Sequence, residues 1–362
     1  APATPLPAIS SALVIDGYTQ PGASPNTQAP GLGLGSNAVL KIEIDGAALG
    51  GTPALNLNAT GVSVLVSGLA IYRAGSAIQT QGPADGLYTI AGNFLGLRAD
   101  GSAAPAGQNV GVSIQGGRVE VGLANAAGMN VISGNAAQGI AISTLPPFSG
   151  ALIRGNLIGT TPNGLSARPN GLQGIIASTP SRLIGISIGG AQADARNVIS
   201  GNLQDGIRFD CSATSDQCFD TGSVSGNYIG LAANGSALGN GGNGVHISSM
   251  DAGLLLIGGT GAGEGNHIAY NGAAGIRATH GGVGRVSFLA NAISNNGALA
   301  IDLGGDGRTA NDPSDADTGP NGRQNFPGFS AYTLAPSFDA ADFTFNIDSV
   351  NTGSNYPMRV DF

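Results

Sequence analysis

At 362 residues, with 62 glycines, no tryptophan and only 10% charged side chains, the chain is rich in turns and far from the composition of an ordinary mixed globular domain. Its 41% hydrophobic content is enough for a substantial core and excludes a disordered chain. A net charge of −8, with Lys41 as the one lysine, leaves no basic surface for nucleic acid or anionic lipid, and no run of about 18 apolar residues is present to span a bilayer.

In chain order, the opening Ala-Pro-Ala-Thr-Pro-Leu-Pro has neither a basic nor an apolar leader region, so an export signal is expected to lie outside this sequence. LVIDG (Leu13 to Gly17) and KIEIDG (Lys41 to Gly46) read as strands, early coils or a cap of a repeat structure, with YTQPGASPNTQAPGLGLG between them as a loop. From there internal repeats dominate. NVISGN stands at Asn130 to Asn135 and again at Asn197 to Asn202, with degenerate copies at Asn266 to Asn271 and Asn291 to Asn296. GN-x-(L/I)-G stands at Gly92, Gly155 and Gly226, and (I/V)GG closes strands at Ile188 and Ile257.

The register mark is a small residue, then Ile or Val, then a variable residue. It occurs at Ala77-Ile78, Gly111-Val112, Gly139-Ile140, Gly174-Ile175, Gly206-Ile207, Gly244-Val245, Gly275-Ile276 and Ala300-Ile301. Intervals of 25 to 38 residues hold three short strands and their turns, which is one coil of a three-faced solenoid. Each strand is too short to stand alone, but coils stacked about 4.8 Å apart pair every strand with those above and below. The expected fold is an all-β, right-handed parallel β-helix of three-strand coils over 1–327. Alternation sends Ile140, Ile142, Val245 and Ile247 inward. Glycine and asparagine serve the corners, and stacked asparagines can hydrogen-bond along the axis. After Pro327 the composition shifts to alternating strands, DFTFNID (Asp342 to Asp348) and MRVDF (Met358 to Phe362), so 328–362 reads as β strands distinct from the coils.

IDGYTQPG (Ile15 to Gly22), KIEIDG, SGLAIYRAGSAI (Ser67 to Ile78), the two asparagine series and AIDLGGDGRTANDPSDADTGPNGRQNFP (Ala300 to Pro327) resemble the bacterial secreted right-handed parallel β-helix repeat proteins of the CSLREA-associated type. The resemblance runs from about residue 13 to 327, and no CSLREA string is present. It implies the β-helix fold, export to the medium or cell surface, and, for the strands of 328–362, the start of a further β-rich module. The group is functionally diverse, so no activity follows from it.

Cys211 and Cys218, the two cysteines, have six residues between them in a polar segment and are expected to form a loop-stapling disulfide in an oxidising compartment. The outward residues of the register marks form one column: Gln79, Ser113, Ala141, Ile176, Arg208, His246, Arg277 and Asp302. Its last four members are polar and span roughly 15 Å at about 4.8 Å per coil. With Asp210 and His280 beside them, they suit an acidic oligosaccharide, arginine pairing a uronate and His246 or a carboxylate moving a proton. The competing reading is a charged strip that keeps an exposed sheet soluble. The absence of tryptophan and the scatter of Tyr72, Tyr88, Tyr228 and Tyr270 count against aromatic sugar platforms.

Asp312, Asp315, Asp317 and Asn321 offer oxygen ligands for a structural Ca²⁺ in one loop, although Gly319 and the lack of a closing glutamate depart from the EF-hand pattern. No cofactor is required. The sequence therefore favours a secreted or cell-surface scaffold or adhesive module with carbohydrate affinity, partnered by extracellular polysaccharide or surface glycan. The alternative is a polysaccharide lyase or glycoside hydrolase using Arg208, Asp210, His246, Arg277 and Asp302.

Overall fold

The computed structural model describes residues 1–143, 148–179, 185–211, 221–249, 254–279, 285–334 and 341–348. Each coil contributes one strand to each of three parallel sheets, and every sheet has nine strands among the described residues. The first sheet runs from Leu13–Asp16 to Arg285–Leu289, the second from Ile42–Asp45 to Ala292–Ser294, and the third from Leu55–Leu57 to Ile301–Leu303. This is the expected parallel β-helix. LVIDG and KIEIDG supply the first strands of the first and second sheets.

Alternation builds the core. Ile140, Ile142, Ile175, Ile207, Phe209, Val245, Ile247 and Ile276 are fully buried, and one continuous apolar cluster joins them to the inward residues of the other two sheets. What remains to be satisfied at the corners is backbone polarity, and asparagine does this. One ladder runs Asn93, Asn130, Asn156, Asn197, Asn227, Asn266, Asn291, each side-chain amide donating to the next carbonyl oxygen at 2.8–3.2 Å. A second runs Asn135, Asn170, Asn202, Asn240, Asn271, Asn296 at 2.8–2.9 Å. Ladder members also bond the main chain: Asn197 Nδ2 donates to the Ile153 carbonyl at 2.8 Å and its Oδ1 accepts from the Asn156 backbone at 3.0 Å.

The loop at 18–35 is more than a connection. It opens an out-and-back strap whose base is a bridge between Ser24 and Val39. Tyr18 donates to the Gly92 carbonyl at 2.5 Å, and burial, with Asp16 adding to it, pushes its phenol up to about 12. Asn26 donates to the Ala126 carbonyl at 3.0 Å, and the tip Pro30–Leu32 rests on the turn Ala193–Ala195. The return passes Ala233 and Asn163 before Ser36 N donates to the Pro162 carbonyl at 2.7 Å. Beneath it lies a second apolar layer, with Leu40 packed among Ala70, Phe94, Leu97, Met129, Val131, Leu157, Val198 and Ala233. Ala70, Phe94, Val131, Leu157 and Val198 are outward-facing partners in successive strands of the second sheet, and all are buried.

At the other end, the turns after Leu303 fold back over the last coil around a concavity of about 550 Å³ lined by Leu299, Ile301, Leu303, Phe288 and Phe326. The strands Gly328–Leu334 and Ala341–Asn346 then form an antiparallel pair of their own. Met358 to Phe362, read as a strand from the sequence, lie outside the described residues.

Two expectations follow. Asn197→Ala strands partners in both directions along its ladder and should cost about 3 kcal/mol or more, whereas Asn234→Ala in an exposed turn should cost under ~1 kcal/mol; chemical denaturation of both variants measures this. Gly35 has φ of 72°, and a Cβ there would lie 2.4 Å from the Asn163 carbonyl oxygen, so Gly35→Ala should lift the strap. Hydrogen exchange is expected to rise at Ser36 while ladder amides stay protected.

Candidate functional site

The eight outward register residues form a single column in the third sheet. Gln79 pairs with Ser113, Ser113 with Ala141, Ala141 with Ile176, Ile176 with Arg208, Arg208 with His246, His246 with Arg277, and Arg277 with Asp302. The lower part is an amide and hydroxyl surface, where Asn56, Gln81 and Gln115 donate to one another in sequence. Ala141 and Ile176 make an apolar saddle, and beyond it the face becomes charged.

There the side chains do unequal things. Arg208 pairs with Asp210 two residues on, Nη2 to Oδ2 3.2 Å, with both about one-third exposed. His246 is only 9% exposed although it points outward. Arg277 Nη2 donates to the Gly305 carbonyl at 2.8 Å, and Asp302, also buried, accepts from Gly307 N at 3.3 Å. The top of the column is thus partly engaged by the 304–307 turn that closes the helix. Arg208 Nε and Arg277 Nε, on either side of His246, are shielded from solvent and have no hydrogen-bond partner among the described residues.

What buries and orients His246 is a residue not singled out in the sequence. Asp205, in the turn before Ile207–Cys211, is 6% exposed and brings Oδ2 to 3.2 Å from His246 Nδ1. Its Oδ1 accepts from the Asn243 backbone at 2.7 Å and side-chain amide at 2.8 Å. On the other side of the ring, Nε2 lies 3.4 Å from Thr279 Oγ1. Burial drives the Asp205 carboxyl upward, but hydrogen bonds from His246 and from the Asn243 backbone and side chain outweigh it and hold the group below its ordinary 3.8. The signal for Asp205 was positional: the residue before the register glycine is Gln138, Gln173 and Asn243 on neighbouring coils, and only here among these a carboxylate.

The carboxylates Asp210 and Asp302 sit three strands apart in register, about 14 Å of backbone along the axis, where glycosidase pairs need roughly 5–10 Å between carboxyl groups. In the acidic loop near the C-terminal end, one oxygen each of Asp312 and Asp315 accepts from the loop's own backbone, while Asp312 Oδ1 has no partner among the described residues. Asp312 Oδ2 accepts from Ala316 N at 3.0 Å, Asp315 Oδ1 accepts from Asn325 N at 2.7 Å, and Asn321 donates to the Val286 carbonyl at 2.8 Å. Among the described residues no three His, Cys, Asp or Glu side chains, Asp317 included, are grouped to hold a metal ion. Cys218, His280 and the side chain of Cys211 lie outside the described residues, and the expected disulfide with them.

The second sheet offers a smaller feature beyond the strap tip, where its outward column continues as Tyr228 and His267 with ring centroids 5.2 Å apart. Arg196 lies 4.2 Å over the Tyr228 ring; burial first, then the Arg196 charge, lowers the His267 pKa. Among the described residues no helix is long and apolar enough to cross a membrane. With this geometry the molecule is defined as a parallel β-helix with a strap-covered second sheet and a charged third sheet. Comparison with protein-family profiles, with curated proteins and with solved structures finds no match to the chain.

Asp205→Asn should destabilise the protein by about 1–3 kcal/mol near neutral pH, since a buried charge-assisted contact is lost. A carboxyl whose folded pKa is depressed contributes stability above its unfolded value and loses it as pH falls through the folded one. The gap in melting temperature between wild type and variant is therefore expected to be full above about pH 5 and to narrow as pH falls below the ordinary carboxylate range.

Proposed function

We propose that the protein is an extracellular, rigid β-helix module that holds acidic polysaccharide along the outward face of its third sheet. The observation that carries this is the in-register column Arg208, His246, Arg277, which sets a guanidinium group one strand to either side of a fixed imidazole on one outward face. Arg208 and Arg277 stand two strands apart, about 9.6 Å along the axis, a spacing that suits a linear, regularly charged chain better than a compact ligand, and planar guanidinium groups suit carboxylates. The uncharged lower half of the same face, from Asn56 to Ser113, continues the column with neutral hydrogen-bonding groups for sugar hydroxyls. Its place outside the cell is supported by the resemblance to exported repeat proteins and by the low charge density. Scaffold and adhesive roles follow from the same rigid architecture. Depolymerisation by paired carboxylates is disfavoured by the spacing of Asp210 and Asp302.

Binding of polygalacturonate and of a neutral galactan to the immobilised chain tests the reading. The acidic polymer is expected to bind and to weaken as salt rises. The double variant Arg208→Ala, Arg277→Ala should lose roughly 10- to 1,000-fold in affinity, from two charge-assisted contacts worth about 1.5–3 kcal/mol each, attenuated by solvent exposure. Equal binding of the neutral polymer, or an unchanged affinity in the double variant, overturns it.

A further inference from the structure

We propose that Asp205, His246 and Thr279 form a carboxylate–imidazole–hydroxyl chain that hydrolyses ester groups carried on acidic sugars. This rests on the reading of the third-sheet face as an acidic-glycan surface and adds a reaction to it.

The three residues come from three successive coils. Asp205 precedes Ile207–Cys211, His246 is in Val245–Ser249, and Thr279 follows Ile276–Ala278. Parallel stacking therefore sets their order in space. Asp205 Oδ1 is saturated by two bonds from Asn243, which leaves Oδ2 for the imidazole. An ionised carboxylate can only accept, so Nδ1 carries the proton facing it. In the neutral ring Nε2 is then the basic nitrogen, and it faces the Thr279 hydroxyl at 3.4 Å. This is the order in which an oriented base activates a hydroxyl nucleophile, and such contacts are often loose without substrate. Thr279 has no closer commitment: its other hydroxyl contacts are the Ser248 carbonyl at 3.4 Å and the Ile247 carbonyl at 3.5 Å.

Thr279 Oγ attacks the acyl carbon while its proton passes to His246 Nε2. The tetrahedral adduct collapses, the bond between acyl carbon and sugar oxygen breaks, and Nε2 returns the proton to that oxygen. Water then attacks the acyl-threonine, giving its proton to Nε2, and the carboxylic acid leaves as the Thr279 hydroxyl is restored. No oxidant or metal is needed. Arg208 and Arg277 lie one strand on either side of His246 and would hold the carboxylate of the same or a neighbouring sugar. Asp205 touches no reacting atom and is a positioning residue.

The test incubates the full chain with O-acetylated polygalacturonate and with acetylated xylan, following acetate release, and maps the adduct of a fluorophosphonate probe by mass spectrometry. Each variant is assayed well below its own melting temperature. Expected are faster release from the acidic polymer, an adduct on Thr279, at least ~100-fold loss in Thr279→Val and His246→Gln, and retained activity in Thr279→Ser. Asp205→Asn should lower kcat with little change in KM. Absence of acetate release from a chain that still binds polygalacturonate overturns the esterase and leaves the binding reading intact. Release that persists in Thr279→Val overturns Thr279 as nucleophile, and loss of both release and binding overturns both readings.

Discussion

Everything in this molecule depends on coil-to-coil pairing at a single spacing. Strands of two to six residues have no stability alone, so each must find a partner above and below, and the two asparagine ladders carry the same constraint around the corners. The ladders do more than add bonds. An asparagine offers one donor group to its neighbour and one acceptor to the other side, so each residue is satisfied only if the next coil keeps register. A slip at one coil strands buried polar groups along the axis, which is why loop lengths vary freely while the strands do not.

This constraint is also what makes a side-chain column possible. A residue two positions after the register glycine or alanine stands directly over its counterpart, and chemistry assembled along the face needs no loop to bring it together. Arg208, His246 and Arg277 come from coils separated by more than 30 residues of sequence each, yet adjoin in space. Asp205 shows how a corner position can be recruited. One carboxylate oxygen continues the amide bonding of its neighbours, and the second is left for the imidazole.

Much of this was legible in the sequence. The small-Ile/Val mark set the third-sheet column residue by residue, and the asparagine repeats were read as stacked. Two things were not. The strap segment 18–35 looked like a connecting loop, because its partners lie 70 to 200 residues away and no local pattern announces them. Its signal was in the other half of the contact: the second-sheet strands Phe94–Leu95, Val131–Ile132, Leu157–Ile158 and Val198–Ile199 are apolar at both positions, as strands buried on both faces must be. Asp205 was hidden among polar turn residues, where a carboxylate is unremarkable until its neighbour across the coil is known.

The strap also orders events in time. Most contacts in a solenoid join positions about one coil apart, so coils can add one after another with little loop-closure entropy at each step. The strap tip breaks that rule by resting on Ala193–Ala195 and passing Ala233. The strap precedes those coils in the chain and can dock only once the sixth and seventh coils exist, and until then the apolar groove along the second sheet stands open. Closure of the strap is therefore the step that joins early and late coils into one cooperative unit, and a chain halted before that point would expose Phe94, Val131 and Leu157 together.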